Sequence, residues 1–275
     1  MKNIPVLVLL LAACSAAAEP AVVTEGNTTT TWAGSPVPTE TFGDDLPVEV
    51  YAPAETGPWP VVVLVHGGGW FGGQPSSTAP LAAGLADEGY VVFNPAYRTG
   101  DEGGSIADMA SDVACAVVLA RREAGEWTTE PGQITLMGHS AGAHLAALVA
   151  LAPDRFGCGD SQVDALVGLA GPYDTDRVGV LAPLLGGTID EVPDAWAGVN
   201  PFSFIAQAPD LAVTLVHGDA DEVVPLDFSE DLADALTAVG RDVELVVVPG
   251  AGHGDMIDPA RVLGLLTDRI VIREN

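Results

Sequence analysis

Lysine is almost absent. The 275 residues contain one, Lys2, and ten basic residues in all against 38 acidic ones, for a net charge of −28. So few cations cannot displace counterions from a phosphate backbone, which argues against nucleic-acid binding. A P-loop requires G-x-x-x-x-G-K-[ST], and the single lysine sits in no such pattern, so a phosphate cradle of that kind is excluded. No apolar run reaches the eighteen or so residues of a membrane-spanning helix. His139 and His144 are five apart, so the H-E-x-x-H zinc arrangement is missing as well. Neither a metal nor an organic cofactor is implied.

What is present is apolar and patterned. Hydrophobic residues make up 48% and charged residues 17%, the balance of a globular chain rather than a disordered one. The acidity reads as a solvated surface. The first residues have the texture of an export signal: Lys2 as a positive start, then Val6–Leu11 with flanking alanines as a short apolar region. Leu11-Ala12-Ala13-Cys14 resembles the bacterial lipobox, in which the cysteine becomes the lipidated N-terminus. The expectation is a signal over 1–14, a flexible leader over 15–30 and one domain over 31–275. Cys14 is then the lipid anchor of an exported lipoprotein, or is lost with the signal of a secreted one. Export permits a disulfide, and the two remaining cysteines, Cys115 and Cys158, lie on elements that can be neighbours. A bridge between them is expected.

Past the leader the texture alternates. Strands are expected over Val48–Pro53, Pro60–Trp70, Tyr90–Arg98, Gln133–His139, Val163–Gly171, Leu211–Gly218 and Val243–Gly250. Helical periodicity falls over Ala79–Gly89, Ser105–Ala124, Ala141–Leu151, Phe228–Gly240 and Asp258–Ile270. Continuous β-branched runs such as Pro60–Trp70 mark strands buried on both faces. The alternation predicts an α/β fold: a mostly parallel central sheet flanked by helices. The stretch from about 174 to 208 breaks the rhythm with Pro, Gly and Asp, and is read as a small cap insertion over the strand ends.

Gly138-His139-Ser140-Ala141-Gly142 fits G-x-S-x-G, with a strand before it and a helix after it. Ser140 could simply be a helix N-cap, but a cap explains neither glycine. Flanking glycines let strand and helix approach closely around an exposed nucleophile. A serine hydroxyl needs a base. His253, in the glycine-rich loop after the final strand, has the position and chain order of one. His66 and His144 read as structural. The orienting carboxylate is sought in "HGDADEVVP", where Asp219, Asp221 and Glu222 are all available. "HGGGW" exposes backbone amides after a buried strand; Gly68, Gly69 and the amide of Ala141 are the candidate oxyanion donors. Trp70, Phe71, His139 and Tyr173 are candidate substrate contacts, with Leu184 and Trp196 from the cap.

Taken together and in order, "HGGGW", "GHSAGAHLAAL", "HGDADEVVP" and "GAGH" resemble the α/β-hydrolase superfamily of esterase/lipase type. Within it they are similar to the BD-FAE-like bacterial esterases, and also to kynurenine formamidases. The resemblance covers about 48–272. It implies a triad of Ser140, Asp221 and His253, because in the family the triad aspartate stands three residues before V-P. His139 and Ala143 depart from the G-D-S-A-G-G of the hormone-sensitive-lipase group. The activity implied is a serine carboxylesterase acting on short or small esters, free or linked to polysaccharide. An amidase, aryl formamidase or peptidase on the same fold is the alternative enzyme. A surface binding protein on a hydrolase scaffold is the non-enzymatic one.

Overall fold

The computed structural model describes residues 37–38, 46–131 and 133–270. The expected signal, Cys14 and the leader lie outside the described residues. Eight strands form one sheet: β1 (Val37–Pro38), β2 (Val48–Tyr51), β3 (Val61–Val65), β4 (Val91–Pro95), β5 (Ile134–His139), β6 (Ala165–Leu169), β7 (Ala212–Gly218) and β8 (Val243–Val248). Their order across the sheet is β1-β2-β4-β3-β5-β6-β7-β8. β1 and β2 are antiparallel to their neighbours, and every pairing from β4 to β8 is parallel. The expected mostly parallel α/β sheet is the fold that forms.

The helices are α1 (Ala79–Asp87), α2 (Ile106–Glu123), α3 (Ala141–Leu151), α4 (Ala182–Leu185), α5 (Pro193–Ala197), α6 (Asp227–Ala238) and α7 (Pro259–Thr267). Alternation along β3 divides the core. Val61, Val63 and Val65 face a cluster with α2, α3 and α6, while Val62 and Leu64 face one with α1 and α7. Both faces are thus covered, as a parallel sheet requires. Burying each of these valines and leucines contributes roughly 1.5–3 kcal/mol. Helix α3 is buried at every position, which explains why it is built of alanine and leucine with no polar stripe.

Several expected strands are longer than those that form. β3 stops at Val65 because the chain then turns through Gly68 (φ 141°), Gly69 (φ 61°) and Trp70 (φ 66°), which extended backbone cannot accommodate. β8 lies at one edge of the sheet and, unlike β3, leaves most of its residues half-buried or exposed. Cys115 on α2 and Cys158 after α3 form a disulfide, with their Cα atoms 5.0 Å apart. The segment between β6 and β7, where a cap was expected, holds only short helices: α4, α5 and 3-10 turns at Thr175–Arg177, Gly179–Leu181 and Pro201–Phe204.

The chain leaves β3 toward β4 on one side, then returns past it to β5 on the other. Ligands bind outside the C-terminal strand ends at such a reversal. The loop after β3 carries "HGGGW", and the turn after β5 carries Ser140.

Candidate active site

Ser140 has φ 55° and ψ −124°, a conformation foreign to L-residues. Its hydroxyl does not cap α3, although it stands at the N-cap position. Its backbone is held on both sides: the amide donates to Leu169 O at 2.9 Å, and the carbonyl accepts from the amides of Ala143 and His144. The two glycines of the motif are demanded by contact. A Cβ on Gly138 would lie 2.3 Å from Gly142 O, and one on Gly142 would lie 2.3 Å from His66 O. Three of the four non-glycine residues with positive φ among those described, Trp70, Ser140 and Ala170, follow β3, β5 and β6. Backbone strain therefore gathers at the C-terminal edge of three adjacent strands, the placing that marks a candidate site.

The loop after β3 packs directly on this elbow. A Cβ on Gly67, a residue the sequence reading passed over, would come within 3.1 Å of Ser140 Cβ and 3.0 Å of His139 Nδ1. The Gly72 amide donates to Gly68 O at 3.1 Å and closes a tight turn. Gly69 at its tip has no atom within 4 Å of where a Cβ would stand. Ala141 opens α3, so its amide has no carbonyl to pair with inside the helix. His66 anchors the loop from below. Its Nδ1 donates to Gly67 O at 2.7 Å, its ring stacks on Tyr97, and burial pushes its pKa down to about 4.

Asp221 and His253 meet on the other side. His253 Nδ1 donates to Asp221 Oδ2 at 2.8 Å. Burial alone would raise the Asp221 carboxyl, but hydrogen bonds from His217 and His253, with amides behind them, hold it well below the ordinary carboxylate range. Those amides belong to Val223 and Val224, which donate to Oδ1 at 2.8 and 2.9 Å. His217 sequence reasoning left without a role. It is fully buried, with Nε2 3.3 Å from Asp221 Oδ2 and 2.8 Å from Val224 O.

The other two acids of "HGDADEVVP" do different things. Asp219 accepts from the Gly250 amide and Glu222 is exposed. The Asp219 contact belongs to a seam between the loops after β7 and β8. In it the Ala220 amide donates to Ala251 O at 3.1 Å, and Gly218 must lack a side chain because a Cβ would lie 2.0 Å from that same oxygen. His253 opens a 3-10 turn, His253–Ile257, beyond this seam.

His139 ties the two halves together. Its Nε2 donates to the backbone carbonyl of His253 at 3.1 Å, and the rings lie 4.7 Å apart. Burial, then the nearby His253 charge, pushes its pKa down to about 3. The expected pocket residues fare unevenly. Trp70 is 1% exposed and Tyr173 is not exposed at all, so neither offers a wall to substrate; both are core. Trp70 donates through Nε1 to His144 Nδ1 at 3.0 Å, and His144 Nε2 donates to Val199 O at 2.8 Å. His144 is thus a buried structural bridge, kept neutral by burial at a pKa of about 4. Trp196 is likewise buried, its indole donating to Gly187 O. Phe71 and Leu184 remain partly exposed and flank Gly100 together. A cavity of about 610 Å³ lies at the opposite ends of β5–β7, lined by Thr135, Ala165 and Ala212, and includes none of these residues.

Residues 48–236 match a known family pattern that takes in Ser140 and Asp221 and ends before His253. The chain belongs to the BD-FAE family. Relatives of this BD-FAE chain include the esterase LipC of Mycobacterium tuberculosis, 31% identical, with 80% of this chain and 60% of that protein aligned. A probable isoprenylcysteine alpha-carbonyl methylesterase of Arabidopsis thaliana is 30% identical, over 78% of this chain and 50% of its own length. The chain thus spans half to three fifths of the length of these two relatives. Among solved structures, a thermophilic esterase of Thermogutta terrifontis superposes with a TM-score of 0.71 at 26% identity, covering 86% of this chain and 91% of that one. The same esterase is also solved with butyrate bound.

Proposed function

We propose that this BD-FAE protein is a serine carboxylesterase for short-chain or small esters. The observation that supports it best is the strained Ser140 on a two-glycine elbow, whose neighbour His139 touches the loop in which Asp221 grips His253 at 2.8 Å. With Nδ1 donating to Asp221, His253 has Nε2 left to accept the Ser140 proton. Ser140 Oγ bonds to the ester carbonyl carbon, and the oxyanion takes hydrogen bonds from Gly68, Gly69 and Ala141 amides, each worth several kcal/mol in a dry site. As the C–O bond breaks, His253 returns the proton to the leaving alcohol. Water then attacks the acyl-serine by the same route and releases the acid.

The relatives named esterases, and the butyrate bound to the Thermogutta enzyme, favour an ester with a short acyl group. We further infer that the protein acts outside the cytoplasm as a Cys14-anchored lipoprotein, where polysaccharide-linked esters are within reach. A panel of p-nitrophenyl esters graded by acyl length tests the reading, with Ser140→Ala as control. Hydrolysis of the acetyl and butyryl esters, lost by at least about 10³-fold in the variant, is expected. Equal turnover by wild type and variant would sink it.

A further inference from the structure

We propose that His139 is a positioning residue that spaces the nucleophile from the base, through its Nε2 hydrogen bond to the backbone carbonyl of His253. This rests on the serine-esterase reading above. His139 is joined by a peptide bond to Ser140, so the contact spans from the nucleophile's own neighbour to the main chain of the base. Among the described residues, this is the hydrogen bond that joins the elbow to the loop carrying the base. Asp221 holds the same imidazole at Nδ1 but stands on the loop after β7. The base is thereby fixed at two points, one on its ring and one on its backbone, by residues from different strands.

The His139 ring also backs the His253 imidazole at 4.7 Å with a tilt of 43°, so it limits rotation of the ring as well as travel of the loop. Its own place is narrow. It is 7% exposed, and Gly67 lies so close that a Cβ there would be 3.0 Å from Nδ1. Burial keeps the ring neutral, leaving an N–H donor on Nε2 and placing no positive charge beside the imidazolium that forms during turnover. By its place in the motif His139 is expected to touch substrate. Its burial and its bond to His253 assign it to the machinery behind the site instead.

Two substitutions separate the donor from the bulk. His139→Leu keeps volume and removes the N–H; His139→Gln keeps an amide donor at about the same reach. Steady-state kinetics on p-nitrophenyl butyrate are read beside the rate of labelling by a fluorophosphonate. In that reaction Ser140 Oγ bonds to phosphorus, fluoride leaves, and His253 takes the proton. The expected result for His139→Leu is a fall in kcat of about 10- to 100-fold, the effect of a misplaced reacting group. KM should stay within about twofold, and labelling should slow in parallel. His139→Gln should recover most of both rates. Melting temperatures are recorded for each variant, so that rates are compared only on folded protein.

Wild-type rates in His139→Leu, or a glutamine variant no faster than the leucine one, would overturn the proposal. So would a loss confined to KM, which would return His139 to the substrate. Failure of the wild type itself to be labelled would instead strike the esterase reading, and is distinguishable on that account.

Discussion

Replacing Ser140 by glycine should stabilise the protein while abolishing turnover. Ser140 sits at φ 55° and ψ −124°, outside even the left-handed region that asparagine and aspartate visit. Holding a side-chain-bearing residue there costs about 1–3 kcal/mol. Glycine removes that cost but adds about 0.5–1 kcal/mol of unfolded-state entropy. Alanine keeps the Cβ, and with it the strain, so Ser140→Ala is the proper reference. Taking the middle of each range, the net difference expected between the two variants is about 1.3 kcal/mol in favour of glycine. For a domain of this size that is a rise of roughly 2–3 °C in melting temperature. The Ser140 Cβ packs against the Gly67 backbone, with no side chain of that residue opposite it. Differential scanning calorimetry at neutral pH, with the disulfide intact, gives the comparison. A glycine variant that melts at or below the alanine variant would refute the claim that the elbow stores strain.

Acid should destabilise the fold before any carboxylate is neutralised. Burial lowers His66 and His144 from the ordinary 6.5 to about 4, so the unfolded chain takes up their protons first. Stability is complete above about pH 6.5 and falls as pH drops toward 4, with His144 alone accounting for roughly 3 kcal/mol. Asp221, held below the carboxylate range, loses its contribution only from about pH 4 downward, where the unfolded carboxyl begins to take up a proton, so the upper part of the slope belongs to the histidines. Urea unfolding at pH 7, 5.5 and 4 measures the slope; a flat profile contradicts buried neutral imidazoles. Reducing the Cys115–Cys158 bridge, which closes 43 residues, should cost about 4 kcal/mol by loop entropy. Melting of Cys115→Ser/Cys158→Ser against wild type checks it, and an unchanged midpoint would show that the link constrains nothing.

Much of the fold was legible because a parallel sheet advertises itself. Runs such as Val61–Val65 are apolar without alternation, and each is followed by a helix. The elbow was legible for the same reason: Gly138 and Gly142 are forced by backbone contacts that lie within the motif or against the adjoining strand. Choosing Asp221 over Asp219 needed the family resemblance, since spacing alone left the three acids open. The reason appears only in three dimensions, where Asp219 turns to Gly250 while Asp221 turns inward. Trp70 and Tyr173 misled because a large aromatic near a glycine loop serves a pocket and a core equally well in one dimension. Their burial depends on α3 and the segment after β6. His217 was invisible as a neighbour of Asp221 because nothing in "HGDAD" says that a loop will fold back over its own strand. His139 was invisible for a related reason: its partner is a main-chain oxygen 114 residues away, and main-chain atoms leave no trace in composition.

On the esterase proposal, the base hangs from an edge strand of the sheet. β8 has a neighbour on one side only, and half-buried or exposed side chains along most of its length. The nucleophile's strand, β5, is flanked on both sides and buried throughout. Edges open at lower free energy than centres. On that proposal, heating should loosen the β8 edge and the His253 loop before the β5 elbow, read as loss of activity below the melting temperature that returns on cooling. Activity and folded mass would then be separate quantities: the buried elbow keeps Ser140 in place while the edge that carries His253 opens and closes.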